Sequence, residues 1–599
     1  MAQVTKEKCL QEDREMDDIV SSEDDGTSAL QYRIDESPPF HITLFISLQH
    51  LMIAFASTLT LTSIIGDVLC AKTDDPLRSK LFSTALCMSG LNTILQSILG
   101  SRLPVFQGPS FTFITPLIAL GTDPSWSCSS GSDDTDTLIS NANMTNIAGL
   151  EKLTATEKLQ QMSGSLMAAS AIEVVIGGLG LVGPLMRFAG PITVAPIITL
   201  IGLSLYRIPV DYSRPCPPMA AASALLVLLF SLYLQRIMIP IGCGKRKTRL
   251  PIFQVLPVLL SIGLTWTVAA ILTTCGVFTD DPASLGYKAR TDAKAGIVNA
   301  TPWLLATYPG QFGMPSFNVA AFVGFSAAVL SSVIESVGDY LAAARSCDVP
   351  IPPQHAVSRG IMMEGLGSVL GGGYGAAHAT STYSGNIALL SLCRTASRSV
   401  LVTAGIILIA VSFVGKVAAA FSTVPEPILG GIFLVILGIL VALGIATLKH
   451  TDLHSTRNLI IIGVSIFVGL AIPDWIARFP DCIDTGDIQA DQALRVTLGT
   501  PMILGGIVGC FLDNTVPGTI RERGLHEWTA ARLTKADSSD SLESAILEQA
   551  QLEQKTYGWR RFVGLRRKCR LFRLLPFLPP YGTMVQSWSS CTREEMIDT

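Results

Sequence analysis

Two carboxylates, Glu335 and Asp339, stand four residues apart in the run Ser332-Val333-Ile334-Glu335-Ser336-Val337-Gly338-Asp339-Tyr340. The surrounding segment is otherwise built of Ala, Val, Phe, Leu and Gly. On a helix that spacing stacks both acids on one face. A carboxylate in lipid costs several kcal/mol unless it is paired, hydrated or bound to a cation, so acids in an apolar span mark a solute or ion pathway. An ionised carboxylate accepts hydrogen bonds and does not donate them. This pair is therefore where the chemistry is expected.

The elements that must hold the pair are transmembrane helices. The 599 residues are 49% hydrophobic and only 15% charged, and their apolar runs recur too often and too long for a soluble core. Windows bounded by Pro, Gly or charge predict about fourteen spans. They lie at 42–66, 81–100, 104–120, 163–183, 191–207, 219–239, 252–276, 317–344, 358–377, 382–394, 399–421, 427–448, 457–477 and 500–515. An even count puts both termini on one side, and the basic stretch Arg560, Arg561, Arg566, Arg567, Lys568, Arg570 and Arg573 assigns that side to the cytosol. The sequons at Asn143 and Asn299 then fall in outer loops as glycosylation candidates, and Lys245-Arg246-Lys247 falls inside.

The formal net charge of -4 with basic residues dispersed at span ends excludes nucleic acid as a partner. The acidic first forty or so residues (Glu12, Asp13, Glu23, Asp24, Asp25) lack the tripartite pattern of a cleaved signal, so the first span is expected to act as an uncleaved insertion signal. The thirteen cysteines follow neither a disulfide framework nor zinc spacing, leaving Cys128 as the one candidate oxidised thiol. Gly371-Gly372-Gly373 lacks the Lys and Ser or Thr of a phosphate loop and is read as close helix packing. The interleaved basic and apolar stretch Trp559 to Phe577 suits either a helix lying on the membrane surface or a simple positive-inside tail.

Two segments, Pro104 to Leu120 and Thr380 to Arg394, are too short to cross roughly 30 Å of hydrocarbon, which takes about 20 helical residues. Each opens irregularly, with Gln107-Gly108-Pro109-Ser110 in one and Ala379-Thr380-Ser381-Thr382-Tyr383-Ser384-Gly385-Asn386 in the other. They occupy the third and tenth places, so the chain divides into two blocks of about seven spans, the second inverted. Interrupted helices in corresponding places point to a binding site near the midplane. Irregular backbone at that depth must be satisfied by protein or by a water-filled cavity. The two broken segments are expected to face each other, with Glu335 and Asp339 beside them.

These residues resemble the nucleobase-ascorbate transporter family, animal sodium-dependent branch, from Pro38 to about Leu533. The likeness rests on Gln49-His50, on Ile172-Glu173-Val174-Val175-Ile176-Gly177, on Ile334-Glu335-Ser336-Val337-Gly338-Asp339-Tyr340, on Pro427-Ile428-Leu429-Gly430-Gly431 and on Asp513-Asn514-Thr515-Val516-Pro517-Gly518. The resemblance implies an all-α, uracil-permease-like membrane fold of two inverted repeats divided into core and gate domains, working as a homodimer in the plasma membrane. It divides the chain into a cytosolic tail at 1–40, core helices one to four with gate helix five at 41–207, gate helices six and seven with an outer loop at 208–316, core helices eight to eleven at 317–421, gate helices twelve to fourteen at 422–517, and a cytosolic tail at 518–599.

By the same resemblance, Glu335 binds the N–H groups of the substrate ring, with Phe111, Tyr383, Ser384 and Gly385 in contact with it. Asp339 and Ser110 hold a coupling sodium ion. Gln49, His50 and Asn386 support the site, and no cofactor is implied. The chain departs from the family signature in the tenth span, where Asn386 and Arg394 fit but Gly385, Ala388 and Cys393 do not. Gly385 removes a second carboxylate found in uracil-type members, whereas Thr382-Tyr383 resembles uracil permeases more than the ascorbate branch.

The leading expectation is sodium-coupled nucleobase symport. Ascorbate uptake is the alternative, and a transport-deficient member with an interaction role is a further one. An anion exchanger is disfavoured by the central acids, and an enzyme by the absence of a nucleophile-base set, metal-ligand spacing or phosphate loop. The structural alternatives are also specific. Glu173 fits an ion-pair role as well as a functional one, His50 and His378 fit satisfied core histidines, and Glu364 and Glu426 are read as capping or pairing near helix ends.

Overall fold

The computed structural model describes residues 30, 32–71, 75–121, 126, 153–184, 190–241, 248–250, 253, 257–281, 284–383, 386–387, 390, 395–479, 482–486, 488–519, 522–524, 552–553 and 555–558. Asn143, Cys128, Ser384, Gly385, Arg394 and the basic clusters at 245–247 and 560–573 lie outside the described residues.

Helix starts follow their local chemistry. Helix α1 (Phe40–Val68) leads to α2 (Pro76–Ile98), where Asp75 accepts from the Leu77 amide at 2.8 Å and Pro76 takes the first position, as N-terminal proline and acid side chains favour. The chain then forms β1 (Gln107–Pro109), a 3-10 turn (Phe111–Phe113) and α3 (Ile114–Gly121). Helix α4 (Ala155–Gly178) opens with a capping box in which Thr154 and Glu157 bond reciprocally.

Next come α5 (Pro191–Ser204), α6 (Arg207–Ser213), α7 (Pro217–Leu228), the hairpin β2 (Ile239–Ile241) and β3 (Thr248–Leu250), α8 (Pro257–Thr274) and the short α9 (Ala295–Ala300). The second half runs α10 (Val319–Ser346), α11 (Gln354–Tyr374), β4 (Thr380–Thr382), α12 (Arg398–Ser412), α13 (Gly415–Ser422), α14 (Glu426–Ala446), α15 (Thr456–Arg478), α16 (Ile488–Leu498) and α17 (Pro501–Thr515). Gly375, in the left-handed region at φ 79°, ends α11, a conformation that costs glycine little.

Every span expected from hydropathy coincides with a helix except the third, which opens as β1 and a 3-10 turn before the short α3, and the tenth, which is described only in part. Three differences have local causes. The eleventh span is split at Phe413 and Val414, where Val414 bridges to Leu304 and the Gly415 amide donates to the Trp303 carbonyl at 2.9 Å. The sixth widens from α7 into a π turn at Leu229–Tyr233. Helix α16 was not expected, because Asp491 and Arg495 dilute its hydropathy. It packs on α10 and α3, with Val496 buried at 3% exposure.

The helices pack as two sets. One holds α1 to α4 and α10 to α13, and the other α5 to α8, α14, α15 and α17. An apolar cluster including Leu166, Phe113, Phe325 and Ile198 spans both. Lipid supplies no hydrophobic drive between helices, so contact relies on small residues that let backbones approach. Gly90 on α2 and Gly405 on α12 face each other, and a Cβ built on either meets the other's carbonyl oxygen at 2.6 or 2.7 Å. Between α4 and α11, a Cβ at Gly177 would lie 2.3 Å from the Met362 amide, and one at Gly372 would lie 2.9 Å from the Ser163 carbonyl. Gly372 therefore packs closely, whereas Gly373 meets nothing within 4 Å.

The described ends of the chain meet on one face, where the Arg398 guanidinium pairs with Asp35 at 2.5 Å and donates to the Thr556 carbonyl at 2.7 Å. On the opposite face Asp67 pairs with Arg78 at 2.6 Å and accepts from the Tyr212 hydroxyl, joining α1 and α2 to α6. Glu426, at the start of α14, pairs with Lys288 at 3.3 Å and Lys294 at 3.9 Å, as expected of an acid at a helix end.

The packing makes a direct prediction. Gly177→Val forces a branched side chain into the α11 backbone, and overpacking of this kind costs about 1–3 kcal/mol. Gly178→Ala, whose added Cβ meets only the Met362 sulfur at 3.8 Å, serves as the control. Thermal unfolding of the purified protein in detergent is expected to show a lowered Tm for the first and no change for the second.

Candidate functional site

The two irregular runs pair with one another. Strand β1 lies antiparallel to β4, with Gln107 opposite Thr382, Gly108 opposite Ser381 and Pro109 opposite Thr380. The ladder extends at both ends, from the Ser110 amide to the Ala379 carbonyl at 3.1 Å and from the Tyr383 amide to the Phe106 carbonyl at 2.9 Å. Sequence dictates the break on each side. Pro109 restricts Gly108 and lacks an amide to donate, while Thr380-Ser381-Thr382-Tyr383 is rich in residues that favour strands. Pairing supplies the hydrogen bonds that lipid cannot.

The carboxylates take different environments around this ladder. Glu364 projects from the middle of α11 at 1% exposure, so it is no helix-end cap. One of its oxygens, Oε1, accepts from Gln107 Nε2 at 2.9 Å, from the Tyr340 hydroxyl at 2.8 Å and from Thr382 Oγ1 at 2.6 Å. Gln107 also donates to Thr382 Oγ1 at 2.9 Å, and Gln96 donates to the Tyr340 hydroxyl at 2.5 Å. This network ties β1, β4, α2, α10 and α11 together. Asn92 adds a further bond from α2 to Thr380 Oγ1 at 2.6 Å. Glu173, also 1% exposed, lies behind it on α4, where a Cβ at Gly365 would meet its Cβ at 3.0 Å.

Glu335 is half-buried on α10, and among the described residues none hydrogen-bonds its carboxylate. Ile334, its neighbour, shares an apolar cluster with Phe111 and with the partly buried Tyr383. Phe111 is 9% exposed and begins the 3-10 turn after β1. Asp339, one turn along α10, is buried at 8% exposure. Ser110 is buried at 3% exposure, with its hydroxyl 2.7 Å from that of Thr112. Among the described residues no group of three or more His, Cys, Asp or Glu side chains is placed to hold a metal ion. An alkali cation in this region would draw on Asp339 and hydroxyl or backbone oxygens.

The supporting residues separate. Asn386 donates from Nδ2 to the His50 carbonyl at 3.1 Å and lies 2.9 Å from His50 Nδ1. A carbonyl only accepts, so Nδ2 is the amide nitrogen, His50 Nδ1 accepts from it, and the imidazole proton sits on Nε2. Gln49 is buried at 6% exposure on α1. His378 Nδ1 lies 3.1 Å from the Ala379 carbonyl and is therefore the protonated nitrogen there. Asn299 is exposed on α9.

Glu364, Gln107, Tyr340 and Thr382 escaped the sequence reading as a group. One signal was available: Glu364 interrupts Ile361-Met362-Met363 and Gly365-Leu366 inside an apolar span, and acids in such spans are functional candidates.

A fold of apolar helices around a pair of interrupted segments with buried acids is that of a multi-pass membrane transporter. The Permease family model matches residues 41–478. Solute carrier family 23 member 2 of Rattus norvegicus is 35% identical over 570 residues, covering 94% of this chain and 85% of that one. Solute carrier family 23 member 1 of Mus musculus is 34% identical over 555 residues, covering 92% and 89%. Nucleobase-ascorbate transporter 1 of Arabidopsis thaliana is 28% identical over 516 residues, covering 85% and 94%. The transmembrane domain of a cyanobacterium bicarbonate transporter superposes with a TM-score of 0.46 at 14% identity, covering 75% of this chain and 100% of that one. The chain belongs to the nucleobase-ascorbate transporter family, in its solute carrier family 23 branch, and is a transporter and not an enzyme.

The Glu364 network makes the next prediction. Tyr340→Phe deletes the hydroxyl that Gln96 donates to and that donates to Glu364, and a lost bond to a charged group costs about 1.5–3 kcal/mol. A lowered Tm at normal expression is the expected result in thermal unfolding.

Proposed function

We propose that this transporter is a sodium-coupled symporter that imports a nucleobase of the uracil, xanthine or hypoxanthine type across the plasma membrane by alternating access. The observation that carries the reading is the contrast between two acids beside one ladder: Glu364 is held by three neutral donors, whereas Glu335 is half-buried without a hydrogen-bond partner among the described residues. A carboxylate left in that state at bilayer depth is suited to the ring N–H groups of a base. Phe111 and Tyr383 supply aromatic surface beside it, and Ser384 and Gly385 are the further proposed substrate contacts.

Asp339 and Ser110 are the proposed sodium ligands, since a hard cation prefers oxygen donors. Gln49 and the His50–Asn386 pair hold α1 against the tenth span. In this reading the set with α10 moves as a core against the set with α5 and α14, the protein is a homodimer through the latter, both termini are cytosolic and Asn143 and Asn299 are glycosylated outside.

Two experiments test the ion and the ring contact. In cells expressing the full chain, labelled uracil uptake is expected to fall when sodium is replaced by choline. Asp339→Asn is expected to cut the sodium-dependent component about ten-fold or more, the loss of at least ~1.4 kcal/mol of ion binding. Sodium-dependent uptake that survives unchanged in Asp339→Asn rejects the ion site. Glu335→Gln, isosteric but neutral, is expected to reduce uptake by a similar factor through the loss of a charge-assisted contact of ~1.5–3 kcal/mol.

Ascorbate is the second reading, supported by the name of the Arabidopsis relative, which joins both substrates; Gly385, with neither the second acid of uracil-type members nor the proline of ascorbate-type ones, favours neither. Competition of labelled uracil against labelled ascorbate in one assay separates the two. Normal surface delivery without uptake of any base or ascorbate overturns both and leaves an interaction role.

A further inference from the structure

On the face opposite the described ends of the chain, polar contacts cross directly from one helix set to the other. Each side of the crossing has its own support. In the set that holds α1 and α2, Arg78 lies against Gly66, where an added Cβ would meet Arg78 Nη1 at 2.9 Å. Its guanidinium donates to the Ser63 carbonyl at 3.3 Å, to the Ala71 carbonyl at 2.9 Å and to Asp67 Oδ1 at 2.6 Å. The Asp67 carboxylate is thereby fixed at the end of α1.

In the other set, the short α6 is clamped to α14. A Cβ built on Gly430 would meet Ser213 Oγ at 2.6 Å and the Tyr212 carbonyl carbon at 2.9 Å. The Tyr212 ring stands at 62° to that of Phe433 on α14, with centroids 5.0 Å apart, an edge-to-face geometry that ring quadrupoles favour. Its hydroxyl then donates across the gap to Asp67 Oδ2.

A second crossing runs through Glu426, the first residue of α14, which pairs with Lys288 at 3.3 Å and Lys294 at 3.9 Å. Lys288 belongs to a 3-10 turn at Leu285–Ala289 that packs on α14. Lys294 leads into α9, which packs on α2 and α13 and is joined to α2 by the Thr301 and Ser79 hydroxyls at 3.1 Å. The pairs Arg457–Asp513 and Arg207–Asp474, by contrast, stay inside the second set.

Three of the bridging groups keep a partner in their own set when the bridge parts. Asp67 retains Arg78, Tyr212 retains Phe433 and Glu426 retains Lys288. The Asp67 side chain, 47% exposed, is also open to water. A bond from the Tyr212 hydroxyl to a charged group is strong enough to shift a two-state equilibrium about ten-fold and weak enough to be exchanged for water.

We propose that Tyr212–Asp67, backed by Glu426–Lys294, is a latch that keeps the two helix sets closed on this face and parts when they separate. Its role in the transport cycle rests on the alternating-access reading above; the closure itself does not.

Leu205, just beyond α5, is 1% exposed in an apolar cluster with Leu61, Ile64 and Ile65 of α1, and stays covered while the face is closed. Leu205→Cys therefore makes a reporter. The full chain carrying it is treated in detergent with N-ethylmaleimide, and labelling at each cysteine is followed by mass spectrometry. Adding Tyr212→Phe, which keeps the ring and removes only the bridging hydroxyl, is expected to raise the labelling rate at position 205 about ten-fold. The free thiol of Cys347, 2% exposed, is expected to label as slowly as before. Equal labelling at position 205 overturns the latch, and so does a rise at both positions, which would make the hydroxyl a support of the whole fold.

In cells, Asp67→Cys combined with Tyr212→Cys is linked by a short bis-methanethiosulfonate. Linking is expected to abolish labelled uracil uptake and dithiothreitol to restore it, with neither single variant responding. A linked chain that transports at the unlinked rate overturns the opening of the latch. An absence of uptake in the parent is a failure of the transport reading alone, and the labelling at position 205 then decides the closure.

Discussion

Backbone that leaves a helix inside a bilayer must find hydrogen-bond partners within the protein, and the rest of this structure depends on how that demand is met. Each unsatisfied amide or carbonyl in hydrocarbon costs several kcal/mol. The third and tenth segments solve the problem jointly: β1 and β4 exchange ladder bonds at Gln107, Gly108 and Pro109 against Thr382, Ser381 and Thr380. Neither segment can hold its shape alone. Their crossing fixes where the 3-10 turn at Phe111 begins and where Tyr383 and Asn386 emerge, and so places these residues between the two halves of the chain.

The ladder is secured from behind by Glu364. Burying an ionised carboxylate carries an effective penalty of several kcal/mol, and hydrogen bonds to charged groups return about 1.5–3 kcal/mol each. Three bonds, from Gln107, Tyr340 and Thr382, converge on Oε1 and lessen the cost of burying this group without a lysine or arginine, while Oε2 is buried without a partner among the described residues. The arrangement keeps positive side chains at the membrane faces, where Arg78, Arg359 and Arg398 are found in bonds to Asp67, to Gly100 and Tyr557, and to Asp35. Glu335 differs from Glu364 in lacking such donors among the described residues.

Much of this was legible in the chain. The Gly108-Pro109 and Thr380-to-Tyr383 runs identified the interrupted segments because proline and strand-forming residues oppose helix locally. Hydropathy located the helices because lipid imposes a length and an apolar composition. Local signals failed where contact between distant segments decides. Glu364 was read as an end cap because no neighbour in sequence reveals that Gln107 and Thr382 converge on it. Helix α16 went unseen because Asp491 and Arg495 lower its hydropathy, although it lies against α10 and α3. The break at Phe413 depends on the loop around Leu304, more than a hundred residues earlier in the chain.

Family membership, the membrane class, the two interrupted segments and the stacked acids Glu335 and Asp339 were all determined by the sequence by itself, because spacing, apolar length and turn chemistry act over a few neighbouring residues. Only the tertiary structure decided that one acid gathers three donors on a single oxygen while another meets none among the described residues, that His50 pairs with Asn386, and that Tyr557 is buried in an apolar cluster with residues of α10 and α11. Those outcomes hinge on hydrogen bonds and ring contacts between residues hundreds of positions apart, which exist only once the two halves of the chain have closed on each other.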